Sequence, residues 1–598
     1  MYNMKQIYQS IACLFAVVFL LSTACTDNFE EINTRTDRLT SVDPEYIFGL
    51  TTVATLRELS SNNNWFFFGN YSQQWAVLGG GGPHFGFDGR SDRIWSNLYT
   101  HVLNPLYKII DNYEDNPAFT NRVAIAKIWK SYAFSQIVGL YGPCPYTHAC
   151  NGEAAIPFDT EDVVYRGILK DLKDAYTALT PTGDTYPLAA DPFLGKSTAA
   201  TYINRWSQFA HCIRLRTAIR LTEVPEQWAP GLAAEARQIV AEELDNAEKG
   251  LLTKDNTDNF YMTFGEDLDN QNPLYKEVIA NPELATADPG NFPVIHESLI
   301  LWVSPDTYND PCLKEMMDEG SGGSRVKPLP KYLGRPHSME RPQDYAPVQG
   351  WSSPYDGLKY GDFSRIAKRF SAMTANFWFF SYPELCFIRA EATLKGYWTK
   401  GKTAEAYYYD GIDARCAKYS ISGSAVTTYK NFPGIKWSTP SDTATSSKVK
   451  AINFRDYLGG FTDSYLGGEE DNFKRIIVQH WISLFSQNID IYTLLRRTEV
   501  IPFKPHFGAD QNNGYIDARW GYTPERIIYP GGERNINKEE TLNAILNYLY
   551  DNKLQEQLDQ VTFRLIYAKW NPGLPAPQPG TVAYNAFPYP LPNMVRNR

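Results

Sequence analysis

The sequence predicts a mainly α-helical fold: a scaffold of helices that arrive in pairs, broken by long loop-rich insertions. Two observations carry that expectation. Apolar residues recur at helical-turn spacing through 43–251, 371–420 and 472–550. Between these stretches, 252–370 and 421–471 are rich in Pro, Gly, Asp, Asn and Ser, with only short periodic runs. The chain has 598 residues, 43% of them apolar and 21% charged. That is ample material for a large core and gives no sign of disorder overall.

The first residues read as an address. Lys5 supplies a positive region, Ile11 to Leu21 is an unbroken apolar run, and Ser22, Thr23 and Ala24 lead into Cys25. This is the layout of a secretory signal peptide, and the run is too short to span a bilayer as a finished helix. A polar stretch without period follows to about Thr40. The expected division is a signal peptide at 1–24, a tether at 25–42 and a single domain at 43–598.

Within that domain the spacing predicts helices over Glu45–Leu59, Ser91–Ile110 with an interruption at Pro105, and Asn121–Val138. Asp159 is placed to cap the next helix, which runs to about Leu179. Further helices are expected over Ile203–Leu221, Gly231–Asn246, Tyr382–Leu394, Thr403–Tyr419, Phe473–Arg497 and Lys538–Tyr550. The Pro-rich end from Asn571 is expected to run over the surface. An insertion as long as 252–370 in a compact fold is usually functional.

Composition narrows the function. Net charge is −10 and no long basic block occurs, so no nucleic-acid partner is expected. Aromatics make up 14% of the chain, with 39 Tyr, 32 Phe and 14 Trp. Core packing accounts for most of them; a flat stacking surface for a ligand would use the rest. Trp95, Trp129, Trp206 and Trp481 sit in helical patterns and are expected in the core.

Of the eight cysteines, Cys13 leaves with the signal. Cys144 and Cys150 flank a Pro-containing loop, which allows a local disulfide, whereas Cys212 and Cys386 lie in helical patterns as buried thiols. No CxxC pair suggests structural zinc. The eight His show no HExxH spacing, and GxSxG is absent, so neither a zincin nor an α/β-hydrolase is supported. A glycosidase pair of carboxylates cannot be picked out of 67 Asp and Glu.

Gly396 to Thr403 (GYWTKGKT) satisfies the phosphate-loop pattern letter for letter. That motif needs a strand before it, and the preceding residues have helical spacing, so nucleotide binding is rejected. Asp267, Asp269, Asn270 and Asn272 resemble a fragment of a calcium loop, but the Gly and the closing Glu are missing. A solvated acidic loop is the alternative, and no cofactor other than calcium is suggested. Arg214, Arg216, Arg220, Arg496 and Arg497 are expected to tie helices together through carboxylates rather than to bind an anionic substrate.

Cys25 after small residues resembles the lipobox of bacterial lipoproteins, in which the Cys is acylated; Ser22 stands where Leu is usual. The alternative is a plain secreted protein cleaved near Ala24. Asp27, Glu30 and Glu31 resemble the surface-export signal of Bacteroidetes-type lipoproteins. Ordered segments along the chain then resemble the SusD/RagB family of outer-membrane nutrient-binding lipoproteins: CTDNFEEINT, AIAKIWKSYAFSQIVGLYGPCPY, PFDTEDVVYRGILKDLKDA, WSQFAHCIRLRTAIRL, NDPCLKEMMD, YPELCFIRAEATLKGY, IIVQHWISLFSQNIDIYTLLRRTEVIPF and ERIIYPGGERNIN. His211 and Cys212 replace the family's Asn-Ser, and Cys312 stands where the family has Arg.

The resemblance implies a SusD-like fold with tetratricopeptide-like helix pairs. It implies lipid anchorage in the outer membrane, facing the exterior, beneath a role as lid on a SusC-like TonB-dependent barrel. It implies oligosaccharide binding in most members and peptide binding in some, RagB-like, without catalysis; a secreted glycoside hydrolase is the outlying alternative. In the family the site is built from loops outside the helix repeats. The loops here that match that placement nominate Trp65, Phe85, Asp88 and Arg90 from the first region, and Trp351, Tyr355 and Tyr360 from the large insertion.

Overall fold

Turn-spaced apolar residues become helices nearly where the sequence places them. In a computed structural model the described residues are 43–60, 68–76, 88–320, 331–335, 362–439, 472–501, 525–550 and 564–568, apart from gaps at 154, 188–190, 192–198, 269, 281–293, 306–307 and 433. The signal peptide, Cys25 and the end from Asn571 lie outside them. By contacts Phe48–Arg598 forms one unit and Met1–Ile47 another.

The main helices are α1 (Pro44–Leu59), α2 (Asp88–Asn97), α3 (Asn104–Tyr113), α4 (Thr120–Tyr141), α5 (Glu161–Ala178), α6 (Ala199–Arg220), α7 (Leu232–Glu248), α8 (Tyr382–Leu394), α9 (Ala404–Lys418), α10 (Asn472–Ser483) and α11 (Asn488–Thr498). Each helix from α3 to α6 packs on the next, α8 packs on α9 and α10, and α6 touches α8. This succession of paired neighbours is the expected helix-pair scaffold. Helix α5 is amphipathic, burying Val164, Tyr165, Ile168, Leu169, Leu172 and Ala175. Helix α4 is buried almost all round and forms the centre. Trp129 and Trp206 are fully buried there, in edge contact at 6.1 Å, with Phe209 and Phe379 beside Trp129. Trp95 and Trp481 are buried too, as their helical positions predict.

Several boundaries differ from expectation. The 91–110 helix is three pieces: α2, a π-helical turn at Leu98–Leu103, and α3. Pro105 lies in the first turn of α3, where a missing N–H costs nothing. Phe473–Arg497 is split into α10 and α11 by a bend at Ser486, whose φ is 81°. Lys538–Tyr550 is a short α-helix, Lys538–Asn543, continued by a π turn, Ala544–Tyr548. Asp159 does not cap α5; Thr160 holds that position, its hydroxyl donating to the Asp162 carboxylate at 2.6 Å and not accepting from a helix N–H. The Asp159 carboxylate instead accepts the N–H groups of Tyr146 (2.9 Å) and Thr147 (2.8 Å), fixing the turn after α4.

The Cys144–Cys150 bridge that the loop would allow is not formed: both are free thiols. Burial pushes the Cys144 thiol up, against a hydrogen bond with Tyr99, and Cys150 Sγ points at the Tyr99 carbonyl oxygen, 4.0 Å away.

Buried arginines hold the two halves of the scaffold together. Arg216 grips Glu384 with two bonds of 2.6 Å and reaches Asp490 at 3.1 Å, so α6 is tied to α8 and α11. Arg220 donates to the same Asp490 at 2.6 Å. Arg214 faces the other way, to Glu242 and Glu243 on α7, and Arg497 grips Glu391 on α8 with both terminal nitrogens. Burial opposes the Arg216 charge, but Asp490 and Glu384 outweigh it and raise its pKa. Arg496 departs from the expected carboxylate pairing. It donates to the carbonyls of Gly139 (2.7 Å), Glu525 (2.8 Å) and Tyr492 (3.2 Å), lies 3.6 Å from the Tyr492 ring, and so caps the end of α4.

Arg216→Met is expected to cost about 3–5 kcal/mol by leaving the Glu384 charge buried alone, and Arg216→Met with Glu384→Leu to restore most of it. Urea unfolding checks both; equal loss in the double variant would show that the pair does not act as a unit. A pH effect follows from His480, buried on α10 and stacked at 6.0 Å on Phe387. Burial, then Arg497, Arg216 and Arg220, push its pKa well below 6.5. Below that pH the unfolded chain takes up a proton that the folded one refuses, so this group makes stability fall with falling pH. The unfolding free energy of His480→Phe relative to the parent is expected to gain up to about 1.4 kcal/mol per pH unit below about 6.5; urea unfolding at pH 7.5, 6 and 5 reads it.

Candidate ligand-binding loops and their platform

Short strands from the early loop region, the insertion and the residues after it flank the nominated segments. These strands are too short for an alternating pattern to reveal: β1 (Trp75–Ala76), β2 (Phe260–Met262), β3 (Val294–Ile295), β4 (Met317–Asp318), β5 (Arg365–Ile366) and β6 (Phe377–Phe380). Strands β2 and β6 pair with each other. The rest form a four-stranded antiparallel sheet in the order β1-β3-β5-β4.

The register lines up Ala76, Val294, Arg365 and Asp318 in one row across this sheet. At about 4.8 Å per strand the row spans about 14 Å. Residues 77–87 follow Ala76 directly, and 61–67 enter the sheet through the short helical turn Gly69–Tyr71. Residues 336–361 enter it through Asp362, Phe363 and Ser364. The loops bearing Trp65, Phe85 and Trp351 therefore share one base.

Among the nominated residues, Trp65, Phe85, Trp351, Tyr355 and Tyr360 lie outside the described residues. Asp88 and Arg90 fall on the first turn of α2, and their side chains are likewise outside the description. The structure thus joins the roots of the loops and leaves the contacts of those seven side chains unassigned. Tyr46 is the aromatic among the large apolar side chains exposed on the described surface.

Sequence reasoning missed what fastens the platform to the scaffold. Gln74 Nε2 donates to the Trp481 carbonyl at 2.6 Å, and Trp481 Nε1 donates back to the Ser72 carbonyl at 2.8 Å. Ser72 Oγ bonds Asn488 Oδ1 at 3.0 Å, at the start of α11. Gln73 adopts a φ of 57° and accepts from Ser298 Oγ at 3.1 Å, while His296 N donates to the Gln74 carbonyl at 2.9 Å. Trp75 is buried in edge contact with Phe485 at 6.0 Å. On the far side, Gly320 passes so close to Asp362 that an added Cβ would lie 2.1 Å from the Asp362 carbonyl oxygen. Only glycine permits that approach of the chain leaving β4 to the chain entering β5. The run SQQW, polar yet wholly buried, was the one available signal.

The rejected phosphate-loop match stays rejected. Helix α8, not a strand, precedes it; Lys402 Nζ bonds Asp410 at 2.6 Å, and Thr403 caps α9 by accepting from Ala406 N. In the calcium-like fragment Asp269 lies outside the described residues. Asn272 accepts from Leu274 N and donates to the Ala375 carbonyl, both at 2.9 Å. Among the described residues no group of three or more His, Cys, Asp or Glu could hold a metal, and no helix is long and apolar enough to cross a membrane.

Residues 53–558 match the family model described as SusD-like, Susd and RagB outer membrane lipoprotein. No curated protein matches the sequence. A solved SusD homologue from Bacteroides uniformis is 21% identical, with a TM-score of 0.66, over 88% of this chain and 100% of that one. A structure described as a chitin-binding protein is 21% identical, with a TM-score of 0.64 and the same coverage. A chitin-binding SusD homologue from Flavobacterium johnsoniae is 19% identical, with a TM-score of 0.64, over 87% of this chain and 98% of that one. At these identities the likeness concerns the fold.

Trp481→Phe removes the donor to the Ser72 carbonyl and is expected to cost about 1–3 kcal/mol. Hydrogen exchange should quicken at 72–76 and 294–296 while far-UV circular dichroism holds. Unchanged protection there would mean that the platform does not rely on this tie.

Proposed function

The chain belongs to the SusD-like family of outer membrane lipoproteins, and on that premise we propose that it is a surface lipoprotein that binds oligosaccharide and delivers it to a SusC-like TonB-dependent barrel. The shared base of the nominated loops is the observation that carries this reading. Two segments separated by hundreds of residues in sequence, each carrying aromatic candidates, adjoin β1 and β5, which lie two strand spacings, about 10 Å, apart on a sheet fixed to the scaffold. A sugar ring presents apolar C–H faces and hydroxyl edges. Aromatic side chains stack on the faces, and Asp88 and Arg90 are suited to the edges. Holding such groups on a rigid base reduces the ordering cost of binding.

The reading needs no cofactor and no bond making or breaking. Acylation of Cys25, expected from the sequence, would hold the chain at the membrane through about 0.8 kcal/mol per buried CH₂. Two structural relatives described as chitin-binding support beginning with chitin oligomers. Peptide is the second ligand class, since the family description joins RagB to Susd.

Titration calorimetry with oligosaccharide and peptide panels tests the proposal. Heat with an oligosaccharide series is expected, and Trp351→Ala should weaken it by about 1–3 kcal/mol with helicity unchanged. Binding to peptides alone would replace the glycan by a peptide. Release of reducing sugar by the purified chain would overturn the binding role altogether.

A further inference from the structure

Cys312 and Cys416 are 104 residues apart in sequence, yet their sulfurs stand 3.4 Å from each other. Both residues are completely buried. Among the described residues they are the two cysteines recorded with sulfur on sulfur; Cys144 and Cys150 both lie against Tyr99, and Cys212 and Cys386 are buried in α6 and α8.

The contact is organised by a second pair. Asp310 and Arg415 form a buried ion pair at 2.7 Å, with a further Arg415 nitrogen 3.1 Å from Asp310 Oδ1. Asp310 Oδ1 also accepts the Cys312 N–H at 2.8 Å. Arg415 is the chain neighbour of Cys416 on α9. The ion pair thus fixes the backbone on both sides of the two sulfurs.

We propose that Cys312 and Cys416 form a disulfide in the exported protein, a covalent staple between the insertion and α9. The bonded distance is about 2.05 Å, so closure draws the sulfurs together by about 1.4 Å, within reach of side-chain rotation at two residues. The oxidant is a protein disulfide of the exchange type that works outside the cytoplasm. One thiolate, Cys416, attacks it, forms a mixed disulfide and expels the first oxidant thiolate. Cys312 then attacks the Cys416 sulfur, forms the Cys312–Cys416 bond and expels the second. The two cysteines lose two protons and two electrons; the oxidant disulfide takes them up as a dithiol. Since both sulfurs are buried in the folded chain, the exchange takes place while the insertion is docking.

The inference rests on the family's place in the outer membrane and not on which ligand is bound. Full-length protein extracted from outer membranes is unfolded in urea with an alkylating agent and no reductant, then digested and weighed. A cross-linked peptide pair holding Cys312 and Cys416 is expected, with Cys144, Cys150, Cys212 and Cys386 alkylated. In Cys416→Ser, Cys312 should become alkylated as well. Alkylation of both Cys312 and Cys416 in the parent protein, or an unalkylated Cys312 in Cys416→Ser, overturns the staple. Neither outcome touches the glycan calorimetry.

Discussion

Arg216 is the joint on which this molecule turns. A guanidinium withdrawn from water is tolerable only if carboxylates meet it from fixed positions, and Glu384 and Asp490 do so from helices 168 and 274 residues further along. The helices that supply those carboxylates, α8 and α11, must therefore lie against α6. Arg220 and Arg497 add a second tie to each of the same two helices. The scaffold's halves, separated by the whole 252–370 insertion, are in this way committed to one relative placement. The apolar core supplies most of the driving force, but it is non-directional; the charged pairs select which helix faces meet.

The loop platform inherits that placement. Trp481 and Asn488, which hold Gln74 and Ser72, sit on α10 and α11. Asp490, the carboxylate shared by Arg216 and Arg220, is two residues beyond Asn488 on the same helix. The sheet that the nominated segments adjoin is thus tied, through one short helix, to the charges that close the core. A surface on such a support changes little on engaging a ligand.

A second hub lies at the end of α4. Gly142 has a φ of 86°, and a Cβ there would meet Leu565 at 2.7 Å. Around it Arg496 caps Gly139, Arg526 caps Tyr141 through bonds of 3.0 and 2.9 Å, and Tyr567 donates to Gly139 at 2.8 Å. Ile566 N–H bonds Glu161, whose pKa burial raises to about 8. Carboxy-terminal segments thus satisfy the orphan carbonyls of a helix more than 350 residues earlier. GPCPY and ERIIYP, neither of them helical, meet at this hub, where the Tyr529 hydroxyl donates to the Pro143 carbonyl at 2.8 Å.

What the sequence determined alone is what depends on near neighbours. Turn-spaced apolar residues set α4, α6, α8 and α9 within a few residues, because helical period is a local property. Small residues before Cys25 and the polar run after it set the expected address by the same kind of short-range reading. Arginines on IRLRTAIRL were legible as structural, since a buried cation needs a carboxylate wherever the fold finds one. The tertiary structure alone decided which carboxylate each arginine meets, that Arg496 takes carbonyls instead, and that Asp159 pins a turn instead of capping a helix. It alone brought the Cys312 and Cys416 sulfurs to 3.4 Å and left Cys144 and Cys150 as separate thiols. It alone aligned Ala76, Val294, Arg365 and Asp318 as the root of the nominated loops. Strands of two residues carry no period, and partners hundreds of residues apart leave no local trace; only packing brings them together.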